Sequence, residues 1–254
     1  MSESVASLSK LRRRLARLER AAPREVVRFA TGCEVVDAWL DGGLCRGRLH
    51  EVVASESGDA GAAAGFGALL ALRAGEGKPL LWLRTEGGER QGGKLHAGGL
   101  VELGFDGGAV MLGLVADDAA LLKAANDAAR CAGLGALLIE CWGDPKPLDL
   151  TATRRLMLAA EASGVTVLLL RIAAAEAPSV ADTRWRVASA PSVPLADGSA
   201  AGAPGDPAFD VELLRRRAGP AGAKWRVEWN RERRAFQEPA AAPLPGAVLP
   251  VAAH

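Results

Sequence analysis

Residue types that commonly carry catalysis or hold metals are scarce in this sequence. Of its 254 residues three are histidine, four are cysteine and none is tyrosine. The cysteines form no C-x-x-C pair and have no histidine at metal-ligand spacing, and no histidine is arranged with a serine or cysteine nucleophile. We therefore expect no metal and no hydrolase triad, with the cysteines as small buried side chains in a reducing cytosol. They are Cys33, Cys45, Cys131 and Cys141.

Long apolar runs are absent as well. No stretch approaches the roughly 20 residues needed to cross a bilayer, and the basic N-terminal segment is not followed by the apolar stretch of a secretory signal. These absences predict a cytoplasmic protein without a membrane partner. The formal net charge of +1 also argues against a molecule that binds polyanions with its whole surface.

The sequence does contain a series of short apolar runs separated by alanine-rich segments. Runs that are apolar throughout are typical of strands covered on both faces, and hence of a mostly parallel sheet. The clearest covering helices are segments 116–131 and 150–163, and a chain of this length commonly forms one α/β domain. The apolar runs lie near residues 47–54, 80–84, 109–115, 136–141 and 165–171.

Local motifs give this pattern a family resemblance. Thr31-Gly32 opens a short helix that ends at Gly42-Gly43-Leu44, and Gly47-Arg48 begins the first core strand. With a Walker B-like strand at 136–140, these motifs resemble the RecA superfamily. The resemblance implies an α/β fold with a RecA-like core, in which helices cover a mostly parallel central sheet. The implied divisions are an N-terminal amphipathic helix and linker (1–29), the core (30–187), a flexible loop (188–207), closing antiparallel strands (208–238) and a disordered tail (239–254).

The resemblance also indicates what the first loop lacks. In an active member this loop reads G-x-x-x-x-G-K-[ST], with backbone N–H groups holding phosphates and a lysine neutralising them. No lysine occurs between Lys10 and Lys78, and Glu56 and Asp59 add negative charge. We expect a chain that is not an enzyme and binds no cofactor. The degenerate loop comprises Ala54, Ser55, Glu56, Ser57, Gly58, Asp59, Ala60 and Gly61.

A second G-x-x-x-x-G-K match runs from Gly88 to Lys94. It follows the second core strand and has Leu95 where a magnesium-binding Ser or Thr would stand. Lys94 would still lie at the carboxyl edge, where α/β sheets bind ligands, so a weak P-loop ATPase of the RecA type stays open as an alternative. Acidic side chains are also expected at this edge, as remnants of a magnesium site held by solvent or arginines. They are Glu86, Glu140 and Asp144.

Three features narrow the resemblance within the superfamily. The degenerate loop, the segment Leu80–Gly88 (LLWLRTEGG) and the closing Trp-rich hairpin most resemble the ImuA family of bacterial SOS mutagenesis cassettes. This implies a non-ATPase adaptor in mutagenic translesion DNA synthesis, which links an inactive, ImuB-like Y-family polymerase homologue to an error-prone replicative polymerase. RecA, single-stranded DNA and a second copy of the chain are further candidate partners. A SulA-like cell-division inhibitor, which shares the RecA-like relationship, stays open as an alternative.

The N-terminal segment carries a predicted partner surface. Residues 7–22 have the apolar spacing of an amphipathic helix, and residues 25–29 suit an edge strand. In RecA-like proteins a helix and linker in this place join one protomer to its neighbour, while packing on the chain's own core is the alternative. The predicted partner-binding residues are Leu8, Leu11, Leu15, Leu18 and Phe29.

Arginines cluster towards the end of the core. Cationic surfaces with interleaved aromatic residues suit single-stranded DNA, and Trp225 and Trp229 share one face of a strand that has Arg226 on the other. An acidic partner, or core-facing tryptophans with solvated arginines, would give the same pattern. The predicted nucleic-acid-binding residues are Arg215, Arg216, Arg217, Arg231, Arg233 and Arg234.

Overall fold

The computed structural model describes residues 27–192 and 205–239. The predicted N-terminal helix with Leu8, Leu11, Leu15 and Leu18 lies outside these ranges, as do residues 193–204 of the predicted loop and residues 240–254 of the tail. Among the helices within these ranges, none is long and apolar enough to cross a membrane.

The described residues form a small and a large sheet. The small one pairs β1 (Arg28–Phe29) with β2 (Leu44–Cys45). The strands of the large sheet are β3 (Leu49–Ala54), β4 (Leu80–Thr85), β5 (Val110–Val115), β6 (Ala136–Trp142), β7 (Thr166–Ile172), β8 (Thr183–Ala190), β9 (Ala208–Arg216), β10 (Lys224–Asn230) and β11 (Ala235–Gln237). Across the sheet they follow the order β11-β10-β9-β8-β3-β7-β6-β4-β5.

Strands β5, β4, β6, β7, β3 and β8, which follow one another across the sheet, run parallel to each other. Strands β9, β10 and β11 continue the sheet beyond β8 in antiparallel pairs. The central strands β6 and β7 are buried almost throughout, because each is an apolar run with helices on both faces. The predicted mostly parallel sheet with closing antiparallel strands is confirmed.

Six helices of the described ranges surround this sheet: α1 (Glu34–Trp39), α2 (Ala60–Gly75), α3 (Glu86–Gly92), α4 (Ala97–Glu102), α5 (Asp118–Ala128) and α6 (Leu150–Ser163). Helix α2 packs on one face of the central strands, and α5 and α6 pack on the other. A Cβ at Gly67 of α2 would lie 2.6 Å from Leu170 of β7, so glycine allows the close approach of helix and sheet. Helices α5 and α6 fall within the segments that the sequence predicts.

The closing strands alternate between core and surface. Trp185 and Trp229 are fully buried, and the ring of Trp185 lies 6.0 Å from that of Phe66 on α2. Strand β8 continues to Ala190, three residues into the predicted loop, because its end pairs with β9 through Ser189 opposite Phe209.

Phe29, which the sequence places on a partner surface, is instead a core residue of the chain. It is buried, with the Arg46 guanidinium 5.3 Å from its ring centroid. The reason is local. Gly43, with a φ of 112°, turns the chain so that β2 pairs with β1. Because of this pairing, β1 is part of the small sheet and is separate from the edge of the large sheet.

Candidate functional site

The loop after β3 is short and gives way directly to a helix. β3 ends at Ala54, a 3-10 turn spans Ser57–Asp59, and α2 begins at Ala60. Ala60 and Gly61 therefore occupy the first helical turn, the place where a phosphate-binding loop carries its lysine and its Ser or Thr. Neither residue can supply a cation or a hydroxyl group.

The carboxylate of Asp59 binds the closing part of the sheet. It accepts hydrogen bonds from the backbone N–H and the hydroxyl group of Ser189, both at 2.9 Å. This contact fixes the loop to the end of β8. It also leaves a negative charge at the N-terminal end of α2, where the helix dipole would otherwise favour a bound anion.

Glu140 lies at the centre of a buried polar cluster. Arg84 of the neighbouring strand β4 donates to its Oε1 at 2.7 Å, and the two side chains are only 2% and 3% exposed. The indole N–H of Trp142 donates to the same oxygen at 2.8 Å, and that of Trp82 donates to Oε2 at 3.1 Å. Both carboxylate oxygens thus accept hydrogen bonds from the chain itself. These four residues are called the Arg84–Glu140 cluster below.

Helix α3 packs on the Arg84–Glu140 cluster. Arg84 donates to the carbonyl oxygen of Gly93, just after the helix, at 2.8 Å. A Cβ at Gly92 would lie 2.8 Å from the ring of Trp142, so glycine is needed for the helix to approach this closely. The second G-x-x-x-x-G-K match, Gly88 to Lys94, is therefore mostly a helix that covers a buried ion pair.

The other acidic residues expected at this edge have arginine partners of their own. Glu86 lies 3.9 Å from Arg90, one helical turn later, and Asp144 lies 3.2 Å from Arg171. The three carboxylates that the sequence groups together are thus divided among three arginines. In the ranges that the structure describes, no three His, Cys, Asp or Glu side chains come together in a way that could hold a metal ion.

His50 of β3 has a structural role. Its Nε2 lies 2.8 Å from the carbonyl oxygen of Cys45, and its Nδ1 lies 2.8 Å from the hydroxyl group of Thr183. Because a carbonyl oxygen can only accept, Nε2 carries the hydrogen and Nδ1 accepts from Thr183. Burial lowers the pKa of His50, which favours this neutral form.

The cysteines are free thiols. Cys33, Cys45 and Cys141 are buried as expected, whereas Cys131 is exposed. Burial raises the pKa of Cys141 to about 12. Its thiol therefore stays protonated at neutral pH, where a nucleophile would need the thiolate.

The six arginines of the predicted DNA surface lie at two separate places. Strands β9 and β10 are antiparallel, with Lys224 opposite Glu212 and Glu228 opposite Ala208. Arg215–Arg217 therefore lie near the start of β10, and residues 231–234 lie beyond its end. Seven strand residues span more than about 20 Å, so the two groups do not form one patch.

At the first place, all three arginines contact their own chain. Arg215 donates to a backbone carbonyl oxygen. Arg216 is nearly buried, donates to the carbonyl oxygen of Trp39 at 2.6 Å and pairs with Asp41 at 2.5 Å. Arg217 lies 3.8 Å from the carboxylate of Glu161, but its side chain is still about half exposed. Of these three side chains, Arg217 is thus the best placed to meet a phosphate.

At the second place, the arginines belong to the turn between β10 and β11. Arg231 lies 3.4 Å from Asp206, and Arg233 and Arg234 are exposed. Of the two tryptophans that the sequence places on one strand face, Trp229 is buried in the core and Trp225 is partly buried against it. They are therefore not arranged as exposed stacking platforms between the arginines.

Comparison with known proteins identifies the fold. No protein-family model matches the sequence, and no curated protein matches it. The crystal structure of the RadB recombinase is similar over 83% of this chain and 99% of that chain, with a TM-score of 0.54 and 14% sequence identity. The chain has a RecA-like fold. At this level of identity the similarity concerns the fold alone.

The buried ion pair of Arg84 with Glu140 was not predicted from the sequence. A signal was present, because Arg84 and Glu140 are single charges within the apolar runs of two strands. Charged residues are almost never fully buried without a partner, so two charges of opposite sign in neighbouring strands predict a pair. The neighbourhood of β4 and β6, which brings them together, had to come from the structure.

Proposed function

We propose that the protein is a RecA-like adaptor without ATPase activity in SOS-induced mutagenic translesion DNA synthesis. It links an inactive, ImuB-like Y-family polymerase homologue to an error-prone replicative polymerase, with RecA, single-stranded DNA and a second copy of the chain as further partners. The resemblance to the ImuA family suggests this role. The observation that supports it is the Arg84–Glu140 cluster, in which the Walker B-like carboxylate is bound by side chains of the same chain.

The chemistry of ATP hydrolysis explains why this cluster matters. Hydrolysis in such a fold needs a cation at the phosphates and carboxylates that are free to orient Mg²⁺ and water. Ala60 and Gly61 offer no cation or hydroxyl group, the carboxylates of the loop repel phosphates, and Glu140 is already paired. A weak ATPase would have to recruit Lys94, which is exposed after α3.

An adaptor also needs a surface that another protein can use, and β5 provides a candidate. It is the outermost strand beyond β4, and within the described ranges its outer edge pairs with no strand. Met111, Leu112 and Leu114 are 43–47% exposed. An unpaired edge with apolar side chains is a ready template for another chain, which supports a role in protein contacts.

A pull-down from DNA-damaged cells tests the proposal. The tagged full chain should capture the polymerase homologue and the replicative polymerase, measured by quantitative mass spectrometry. Replacing Leu112 and Leu114 together by lysine should reduce this capture about tenfold or more, because two charges would enter an apolar contact. Leu158→Lys is the control, since Leu158 on α6 is similarly exposed. This variant should capture the two polymerases as well as the wild type does.

Other results would point elsewhere. Capture of the division GTPase in place of the polymerase homologue would support the SulA-like alternative. A wild-type chain that retains neither polymerase from damaged cells would remove the translesion role. An equal loss of capture in the Leu158→Lys control would show that the β5 edge is not the contact.

A further inference from the structure

A basic cavity opens at the amino edge of the sheet, opposite the degenerate loop. Its volume is about 640 Å³, within the range of ligand sites. It is bounded by β1, the C-terminal end of α2 and the first residues of β4 and β5. Its charged lining residues are Arg28, Arg46, Arg73, Lys78 and Arg234 against Glu76 and Asp106.

Both acidic residues of this basic cavity are already engaged. Glu76 pairs with Arg46 at 2.8 Å, and the carboxylate of Asp106 accepts a hydrogen bond from the backbone N–H of Gly108 at 2.9 Å. Within residues 27–192 and 205–239, no carboxylate forms a salt bridge with any of the remaining four cations. The cavity therefore presents positive charge that an anionic ligand would neutralise.

Part of the cationic lining is held in place by backbone contacts. Arg73 donates to the carbonyl oxygens of Ala30 at 3.0 Å and Arg234 at 3.2 Å, which joins β1 to the turn between β10 and β11. Arg234 adopts a left-handed φ of 48°, and its side chain packs on Gly104. Such backbone conformations cluster at ligand clamps. A lining fixed before binding also loses less conformational freedom when a ligand binds.

The floor of the basic cavity is apolar and limits the kinds of anion that fit. Phe29, Leu80 and Phe105 are buried beneath it, so no aromatic face is free to stack on a nucleobase, as single-stranded DNA would need. The C-terminal end of α2 also faces the cavity, and the negative end of its dipole disfavours a dense polyphosphate. Carboxylates spread around an apolar side chain match both features.

We propose that the basic cavity binds an acidic peptide segment of a partner protein. Carboxylates of the segment contact Arg28, Lys78 and Arg234, and an apolar side chain between them lies on the floor. The inference rests on the adaptor function proposed above and adds the chemistry of one partner contact.

Fluorescence anisotropy with a synthetic probe tests this inference on the full chain. The probe is a fluorescein-labelled peptide with a leucine–phenylalanine pair flanked on each side by aspartates. Lys78→Glu combined with Arg234→Glu should weaken its binding about tenfold or more, because charge-assisted contacts are replaced by repulsion. Lys94→Glu combined with Lys146→Glu makes the same change of charge at exposed positions of the opposite sheet edge, and should leave the affinity unchanged. Thermal melting verifies that each variant is folded, and Lys78→Glu alone serves if the double variant is not.

The outcomes separate the inference from the proposed function. Absence of probe binding by the wild type, or an equal loss in both double variants, would overturn the inference. Binding of labelled oligothymidylate that the cavity variant alone loses, without peptide binding, would overturn it in favour of a nucleic-acid site. The assay contains no polymerase, so a failed pull-down with intact peptide binding would count against the translesion role alone.

Discussion

Replacing Glu140 by alanine should lower the free energy of unfolding by about 3–5 kcal/mol, because it leaves the buried Arg84 guanidinium without a counter-ion. The two indole N–H groups of the Arg84–Glu140 cluster would lose their acceptor as well, and an unsatisfied buried donor adds to the loss. Urea denaturation measures this change. A shift of the midpoint without a change in slope would show that stability alone has changed.

Two further variants make this measurement decisive. Glu176→Ala removes one partner of an exposed ion pair with Arg186 and should lower stability by no more than about 1 kcal/mol. Glu140→Gln combined with Arg84→Met removes both charges while keeping an acceptor for the indoles, so it should recover part of the loss. A Glu140→Ala variant as stable as Glu176→Ala would contradict the buried pair.

Replacing Gly43 by alanine should lower the free energy of unfolding by about 3 kcal/mol or more, through overpacking combined with backbone strain. A Cβ there would lie 2.7 Å from the carbonyl carbon of Phe29 and 2.9 Å from the Cα of Ala30. The left-handed φ of 112° adds strain for any residue with a side chain. Because the contact is with backbone, it cannot be relieved by a change of rotamer.

Gly42 provides the matched control for this variant. It has a similar φ of 100°, but a Cβ there would meet its nearest neighbour, Arg28, at 3.9 Å. Gly42→Ala should therefore show the strain alone, about 1–2 kcal/mol. Equal effects of the two substitutions in thermal or urea unfolding would contradict the close approach of β1 to Gly43.

The sheet could be predicted from the sequence because its central strands are read from local composition. The runs around Leu137–Ile139 and Val167–Leu170 are apolar throughout, which is typical of strands covered on both faces. The closing strands were predicted from the family resemblance, and the structure shows the alternation of buried and partly buried residues in Thr183–Val187 that such strands have. The end of β8 could not be predicted, since Ala188–Ala190 resemble the following loop in composition and are held by pairing with β9.

The positions of individual site residues were harder to predict because they depend on register and long-range contacts. Arg215 and Arg234 lie in nearby, similarly basic segments of the sequence. The antiparallel pairing of β9 and β10 nevertheless places them at opposite ends of one hairpin. The aromatic Phe29 suits a partner surface by its place in a linker, but the turn at Gly43 buries it. The basic cavity joins residues from 28 to 234, and no local motif records it.

The RecA-like fold and the altered site support one account of the chain. The loop after β3 contributes Asp59 to a structural contact with Ser189, and the carboxylate of Glu140 is buried at the junction of β4, β6 and α3. We propose that residues which would serve nucleotide chemistry in an active relative serve stability in this chain. The exposed β5 edge and the basic cavity lie away from this position and are the surfaces that we propose for contacts with other proteins.

Isothermal titration calorimetry with ATP and Mg²⁺ tests the central claim of this account most directly. A chain that lacks a lysine at α2 and has Glu140 buried in an ion pair should show no binding tighter than about millimolar, the weak end of the affinity scale. Lys94→Ala should give the same result as the wild type. Micromolar binding by the wild type that Lys94→Ala abolishes would contradict the account and support a weak ATPase that recruits this lysine.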